Sequence, residues 1–292
     1  MQAALLEASV VRFRSEQGEV FGAGFMVGPQ HFLTCAHVIA AILQVPDTQP
    51  QAPTESIFFD FPLLEPGYAF SAQVVGWLPR KDESGDIALL KVSPGAKLPM
   101  GAKPVLMMAW KAQQEYLTYG FVERAGTYAR GVILGRQADG LIYMEGKADS
   151  GAQIGLGFSG APVCDSQYNA VVGMIVAKGS DQTRAAYMLD GVPLQRVFSG
   201  LTLSPRPELL RQQLREYEQQ LQALKPTLEE KQKRLRAKEA AQQDIRSMSG
   251  LFGGRKKANP LREEVEALEQ QAAQITSEIE SIKLRLKQLE SV

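Results

Sequence analysis

The sequence predicts a mostly β domain, a barrel or sandwich, followed by an α-helical antiparallel coiled-coil hairpin. Three observations carry this. Short runs rich in Val, Ile, Phe and Tyr, punctuated by Gly, Pro and Asp, fill residues 8–189, as many short strands with regular turn signals do. Charge density more than doubles past Ser204-Pro205-Arg206-Pro207, with 16 basic and 18 acidic residues before Pro207 and 16 and 14 in the 86 positions from there on. Beyond that point apolar residues recur every three or four positions, the seam of a coiled coil.

In chain order the strand candidates are ASVVRF, FGAGFMV, HFLTCAHV, IFFDF, AQVVGWL, DIALLKV and PVLMMAW, then YLTYGFV, GVILG, LIYMEG, APVCD, AVVGMIVAK and AAYML. Residues 1–203 form this domain, 204–208 a linker and 209–292 the hairpin, with its turn near 248–259. The first helix carries Leu210, Leu214, Tyr217, Leu221, Leu224, Leu228 and Leu235 on one stripe. The second carries Leu261, Val265, Leu268, Ala272, Ile275, Ile279, Ile282, Leu286 and Leu289. Pro226 removes one backbone bond and should kink the first helix. Asn259 and Pro260 suit the cap and first position of the second. KQKRLRAK (231–238) precedes the glycine-rich break and EEVEALE (263–269) follows it, while Glu208, Glu216 and Glu218 open the first helix and Lys283, Arg285 and Lys287 end the second. Folding back at the glycines sets opposite charges side by side, which favours the antiparallel hairpin over a parallel dimer of each helix. Each exposed pair contributes little by itself.

Composition narrows the function classes. The formal net charge is +0 and the pI near 6.8, so no global field favours nucleic acid or an anionic membrane. Cys35 and Cys164 do not make a disulfide framework, and two cysteines with two histidines lack zinc-ligand spacing; no metal or cofactor is expected. The N-terminus has no basic region before its apolar residues, and no apolar run reaches the roughly 18 residues of a membrane helix. A cytoplasmic protein is expected. On the hairpin, KQKRLRAK reads as a solvated face rather than a nucleic-acid patch. The tip Leu251-Phe252-Gly253-Gly254-Arg255-Lys256-Lys257 fits a docking site, a cleavage site or a plain loop.

Chemistry concentrates at GLGFSGAPV, residues 155–163. A serine hydroxyl is a weak nucleophile unless a base stands within hydrogen-bond reach and a third group orients that base. The chain has two histidines: His31 at a turn, and His37, after an apolar strand and before a short apolar turn. Asp86 opens an apolar strand, a costly place for a carboxylate unless something pairs with it, and an imidazole N–H is a suitable partner. Read without chemistry, Ser159 is a Gly-Ser turn, His37 a core histidine and Asp86 a turn residue.

These pieces resemble the trypsin-like (chymotrypsin-fold) serine peptidases. Thr34-Cys35-Ala36-His37 is similar to that family's histidine motif, Asp86-Ile87-Ala88-Leu89-Leu90 to its aspartate motif, and Gly157-Phe158-Ser159-Gly160-Ala161-Pro162 to its nucleophile motif. The order is the family's, and the separations of 49 and 73 residues suit histidine and aspartate on one barrel and serine on a second. The resemblance covers about residues 8–200. It implies a double six-stranded β-barrel and a serine endopeptidase with catalytic His37, Asp86 and Ser159. It also implies an oxyanion hole made by the N–H groups of Gly157 and Ser159, and a protein or peptide substrate. By alignment, the substrate pocket falls near Gln153, Val176 and Lys178. Secreted members carry an aspartate before the serine, which binds a newly cut N-terminus; Phe158 stands there instead, and the brace disulfide of the histidine loop is missing. Both features are similar to intracellular bacterial members. The hairpin then suggests a protein partner or self-association, and an effector in a bacterial stress or defence pathway. A catalytically silent protease fold serving as a scaffold is the alternative. Cys35 and Cys164 read as packing residues.

Overall fold

The computed structural model describes residues 2–81, 85–122, 124–179, 184–249 and 259–290. The chain divides into two units, one of Met1–Arg206 and Leu289–Val292, the other of Pro207–Gln288.

In the first unit, helix α1 (Gln2–Ser9) precedes β1 (Val10–Arg14), β2 (Val20–Gly28), β3 (His31–Thr34), α2 (Ala36–Leu43), β4 (Ile57–Phe61), β5 (Glu65–Leu78) and β6 (Ile87–Val92). The six strands close into an antiparallel barrel in the order β1-β2-β3-β6-β5-β4. Alternating apolar residues fill it, as the strand period requires. Phe13, Phe25, Phe32, Phe59 and Phe61 are fully buried, and Phe32 and Phe59 meet at 4.7 Å between ring centroids. Asp60, also fully buried, is compensated by Arg12, whose Nε and Nη2 donate to its two oxygens at 3.1 and 2.7 Å.

The second barrel follows with β7 (Met107–Met108), β8 (Gln114–Gly120), β9 (Thr127–Arg136), β10 (Ile142–Gly151), β11 (Pro162–Asp165), β12 (Val171–Lys178) and β13 (Ala185–Asp190). Helix α3 (Gly191–Val197) and β14 (Leu203–Ser204) come after it. The strand order β11-β8-β9-β10-β13-β12 is closed by the β11–β12 pairing, which makes six strands, with β7 and β14 added at the side. The expected double six-stranded barrel is therefore present. Near its end Arg206 donates to Asp165 Oδ2 at 3.2 Å and to Gln114 Oε1 at 2.8 Å, both buried.

The second unit is a helical hairpin of α4 (Pro207–Ser249) and α5 (Pro260–Glu290). The predicted seam is observed: Val265, Ile275, Ile279, Ile282 and Leu286 are buried, and Leu214, Tyr217, Leu221, Leu224, Leu228 and Leu235 are half-buried. Antiparallel charge pairing is observed as well. Lys231 meets Glu264 at 2.7 Å, Arg262 meets Glu239 at 3.2 Å, and Lys283 meets Glu218 at 3.9 Å.

Several local expectations change. Helix α1 takes the first two residues of the expected strand ASVVRF, which begins at Val10, and the apolar segment after His37 is a two-turn helix rather than a turn. Helix α4 starts at Pro207, inside the expected linker, and extends to Ser249, within the expected turn, with Pro226 in its interior as the sequence places it; the tip 251–257 lies outside the described residues. Asn259 precedes α5, but its backbone carbonyl does the capping, accepting from Arg262 N–H at 2.9 Å. Its side-chain oxygen has no partner among the described residues. Among those residues no helix is long and apolar enough to cross a membrane.

Candidate active site

His37 sits in the first turn of α2, where backbone N–H groups have no intrahelical acceptor. Residue 35, at the cap position, is a cysteine and makes no side-chain cap bond. Asp86 supplies the acceptor from across the barrel: its Oδ1 takes the His37 backbone N–H at 2.9 Å. The other oxygen, Oδ2, lies 2.6 Å from His37 Nδ1. One carboxylate thus caps the helix and holds the imidazole, which fixes the ring's rotation and leaves Nε2 as the free nitrogen. Asp86 is 4% exposed and adopts φ 75°, the left-handed region. Its own N–H is tied to Leu78 O at 3.0 Å. An aspartate tolerates this conformation better than most side chains, and such strained residues cluster at functional sites.

Ser159 belongs to the second barrel, on the turn entering β11, and its backbone is stitched to the first. Ala23 N–H of β2 donates to Ser159 O at 2.9 Å. The next residue, Gly160, has φ 82°, and a Cβ there would lie 2.1 Å from Ala23 O and 2.4 Å from Thr34 Oγ1. Thr34, three residues before His37, donates to the same Ala23 carbonyl at 2.6 Å. Glycine at 160 lets the serine turn close on the histidine loop. Gly160 N–H in turn donates to Ile175 O of β12 at 2.8 Å, a carbonyl that also accepts from the Cys35 thiol at 3.2 Å. The structure brings His37 and Asp86 into direct contact and ties the Ser159 backbone to β2, with the neighbouring Gly160 against Thr34. Among the described residues the Ser159 hydroxyl has no hydrogen-bond partner, and neither do the N–H groups of Gly157 and Ser159. Gly157 has φ 90°.

The expected pocket residues differ in burial. Gln153 is exposed and Val176 is buried, while the Lys178 side chain lies outside the described residues. Val176 lines a cleft of about 550 Å³ together with Asp86, Arg80, Asp139, Ala177 and Tyr187. The cleft draws on both barrels, so nothing local in the sequence announces it. Cys35 and Cys164 are free and fully buried. Cys35, His37 and Asp86 could offer a metal three donor atoms within 4.8 Å of one another. Burial, with Asp86 nearby, pushes the Cys35 thiol well up, so it keeps its proton and is a poor ligand.

None of the sequence motifs singles out Leu156. It is 81% exposed beside Gly157, an apolar side chain at the edge of the serine loop. Its signal in the sequence was only its place between two glycines.

The sequence profile described as Trypsin-like peptidase domain matches residues 22–174, which include His37, Asp86 and Ser159. No curated protein gives a significant sequence match. Among solved structures, the serine endoprotease from Yersinia pestis superposes with a TM-score of 0.50 at 16% identity, covering 69% of this chain and 66% of that one. The inactive form of the Rv3671c protease gives 0.46 at 21% identity, covering 68% of this chain and 92% of that one. The active form of Rv3671c from M. tuberculosis gives 0.46 at 19%, covering 70% and 85%. Over half the chain matches the profile, and its fold is the double barrel; the chain belongs to the trypsin-like serine peptidase family.

Proposed function

We propose that the chain cleaves protein substrates with Ser159 as nucleophile, His37 as general base and acid, and Asp86 as the group that orients and stabilises the imidazolium. The observation that carries this is the pair of hydrogen bonds between His37 and Asp86, at 2.6 Å through Nδ1 and 2.9 Å through the backbone N–H. It leaves Nε2 to take the Ser159 proton and return it to the leaving amine. The tetrahedral oxyanion would be met by the N–H groups of Gly157 and Ser159, which have no acceptor among the described residues; each such donor is worth about 10²–10³ in rate. By the family resemblance the substrate side chain would be received near Gln153, Val176 and Lys178; the cleft beside Asp86 is lined by Val176 but by neither His37 nor Ser159. Gln153 gives no acidic anchor for a basic side chain.

The hairpin supports a second layer. Its charged outer faces and length suit a protein partner or self-association that targets or regulates the peptidase, as in an effector of a bacterial stress or defence pathway acting in the cytoplasm. The reading includes no nucleic-acid, membrane, metal or cofactor requirement. The domain division it uses is 1–203 for the peptidase, 204–208 for the linker and 209–292 for the hairpin.

One observation favours the silent-scaffold alternative: the Ser159 hydroxyl is not hydrogen-bonded to His37 among the described residues. Catalytic hydrogen bonds often tighten only in the substrate complex. The deciding experiment is hydrolysis of unfolded casein by the full chain beside Ser159→Ala. Turnover by the wild type alone supports catalysis; equal rates, with partners supplied, support the scaffold.

A further inference from the structure

The turn that carries Ser159 is braced from behind by residues with no catalytic chemistry of their own. Phe158 stands where secreted relatives have a carboxylate that awaits a charged N-terminus. Its side chain is fully buried. It packs on Gly120 at the end of β8, where even a Cβ would meet its ring at 2.4 Å. Phe121, the next residue, is 2% exposed. Its N–H donates to Gly157 O at 2.9 Å, and its carbonyl occupies the space a side chain at 157 would need, 2.1 Å from that Cβ. Arg12 of β1 lies against Phe121, its guanidinium 5.6 Å from the ring centroid. Arg12 is itself fixed by buried Asp60 and by the Arg124 carbonyl.

We propose that Phe158, Phe121 and Arg12 form an apolar lock that holds Gly157 in the conformation the oxyanion hole needs, without proteolytic or ionic activation. All three are positioning residues. The inference rests on the reading of Ser159 as nucleophile. The physical reason is the chemistry of position 158. A carboxylate buried there is tolerable only with a charge to pair it, so the turn would assemble only when that charge arrives. A phenyl ring needs no partner, and its burial favours the assembled turn at once. The first barrel then supports the second through Arg12, a rigid planar cation whose fork is already satisfied by Asp60. The site is expected to stay assembled across the pH range near 8 in which a free α-amino group titrates.

The test combines three readouts on the full chain: the rate of fluorophosphonate labelling, the affinity for a peptide aldehyde, and hydrogen exchange at the Phe121 amide. The aldehyde's hemiacetal oxygen seeks the oxyanion hole, whereas substrate KM reports ground-state binding. Phe158→Ala is expected to label about 10²-fold more slowly and to lose aldehyde affinity by a similar factor, with KM within about threefold. Its Phe121 amide should exchange at least about tenfold faster while amides of β12 keep their protection. Arg12→Lys keeps the charge beside Asp60 and serves if Phe158→Ala does not fold. It loses the fork, and labelling should slow by about three- to tenfold with β12 protection unchanged. The lock is overturned if a wild type that labels is matched within about threefold by the folded variants in labelling, aldehyde affinity and Phe121 exchange. Exchange is also read in Ser159→Ala. A wild type that takes no phosphonate, but whose Phe121 amide loses protection on Phe158→Ala, supports the lock and removes the peptidase reading instead.

Discussion

Gly160→Ala tests how tightly the two barrels must close for the serine to meet the histidine. The residue has φ 82°, and its Cβ would lie 2.1 Å from Ala23 O and 2.4 Å from Thr34 Oγ1. The left-handed backbone alone costs a non-glycine residue about 1–2 kcal/mol. The contact adds an overpacking cost of about 1–3 kcal/mol, because Ala23 is backbone in a barrel and cannot swing aside. Relief requires the serine turn to retreat by about 1 Å, which breaks the 2.9 Å bond from Ala23 N–H to Ser159 O and disturbs Thr34 beside His37. A displacement of that size costs about 10²-fold in rate. Stability should fall by roughly 2–5 kcal/mol, or about 4–20 °C in Tm for a domain of this size. Fluorophosphonate labelling and a thermal melt read the two effects. Labelling within threefold of wild type, with an unchanged melt, would refute the argument that this turn is set by contact with β2 and β3.

Other consequences follow from the same geometry. Asp86→Asn keeps the shape of the site but stabilises the wrong imidazole tautomer, and should lower kcat by about 10⁴-fold without changing KM comparably, read on a peptide substrate. Arg206→Ala leaves Asp165, 1% exposed, without its guanidinium and should destabilise the peptidase domain by about 3–5 kcal/mol in urea unfolding. Burial raises both thiols, so Cys35 and Cys164 should resist iodoacetamide at pH 8 in the folded chain and react together once it is unfolded, as mass spectrometry would count. His31, stacked on Phe198, has its pKa lowered by burial and then by Lys91. The unfolded chain therefore takes this proton first, and stability falls as pH drops through 6.5; His31→Gln should flatten the Tm profile between about pH 7 and 5.

The parts of the fold legible in the sequence were those written as repeating patterns. Short apolar runs bounded by turn residues, such as Ile57–Phe61 and Pro162–Asp165, fall on strands β4 and β11, and the 3.5-residue seam with complementary charges falls on α4 and α5. Helix α2 was less legible because AHVIAAIL is apolar on nearly every face, so its period does not separate helix from buried strand. Of the candidate site, the motif residues could be named, and the need of Asp86 for a partner followed from its position before an apolar strand. Contacts made between distant segments could not be read. Asp86 capping α2 joins distant segments of the first barrel, while the sharing of Ile175 O by Cys35 and Gly160 and the stacking of Arg12 behind Phe121 depend on how two barrels meet; none is a local pattern. The pocket was least legible, since its wall comes from several loops and one expected residue, Gln153, faces out.

The central claim is that Ser159 is an activated nucleophile. Its most direct test is the intact mass of the full chain after incubation with a fluorophosphonate, beside Ser159→Ala. The account predicts one adduct per chain on the wild type, mapped to Ser159, and none on the variant. Equal labelling of both, or none on either with the fold intact, would contradict it.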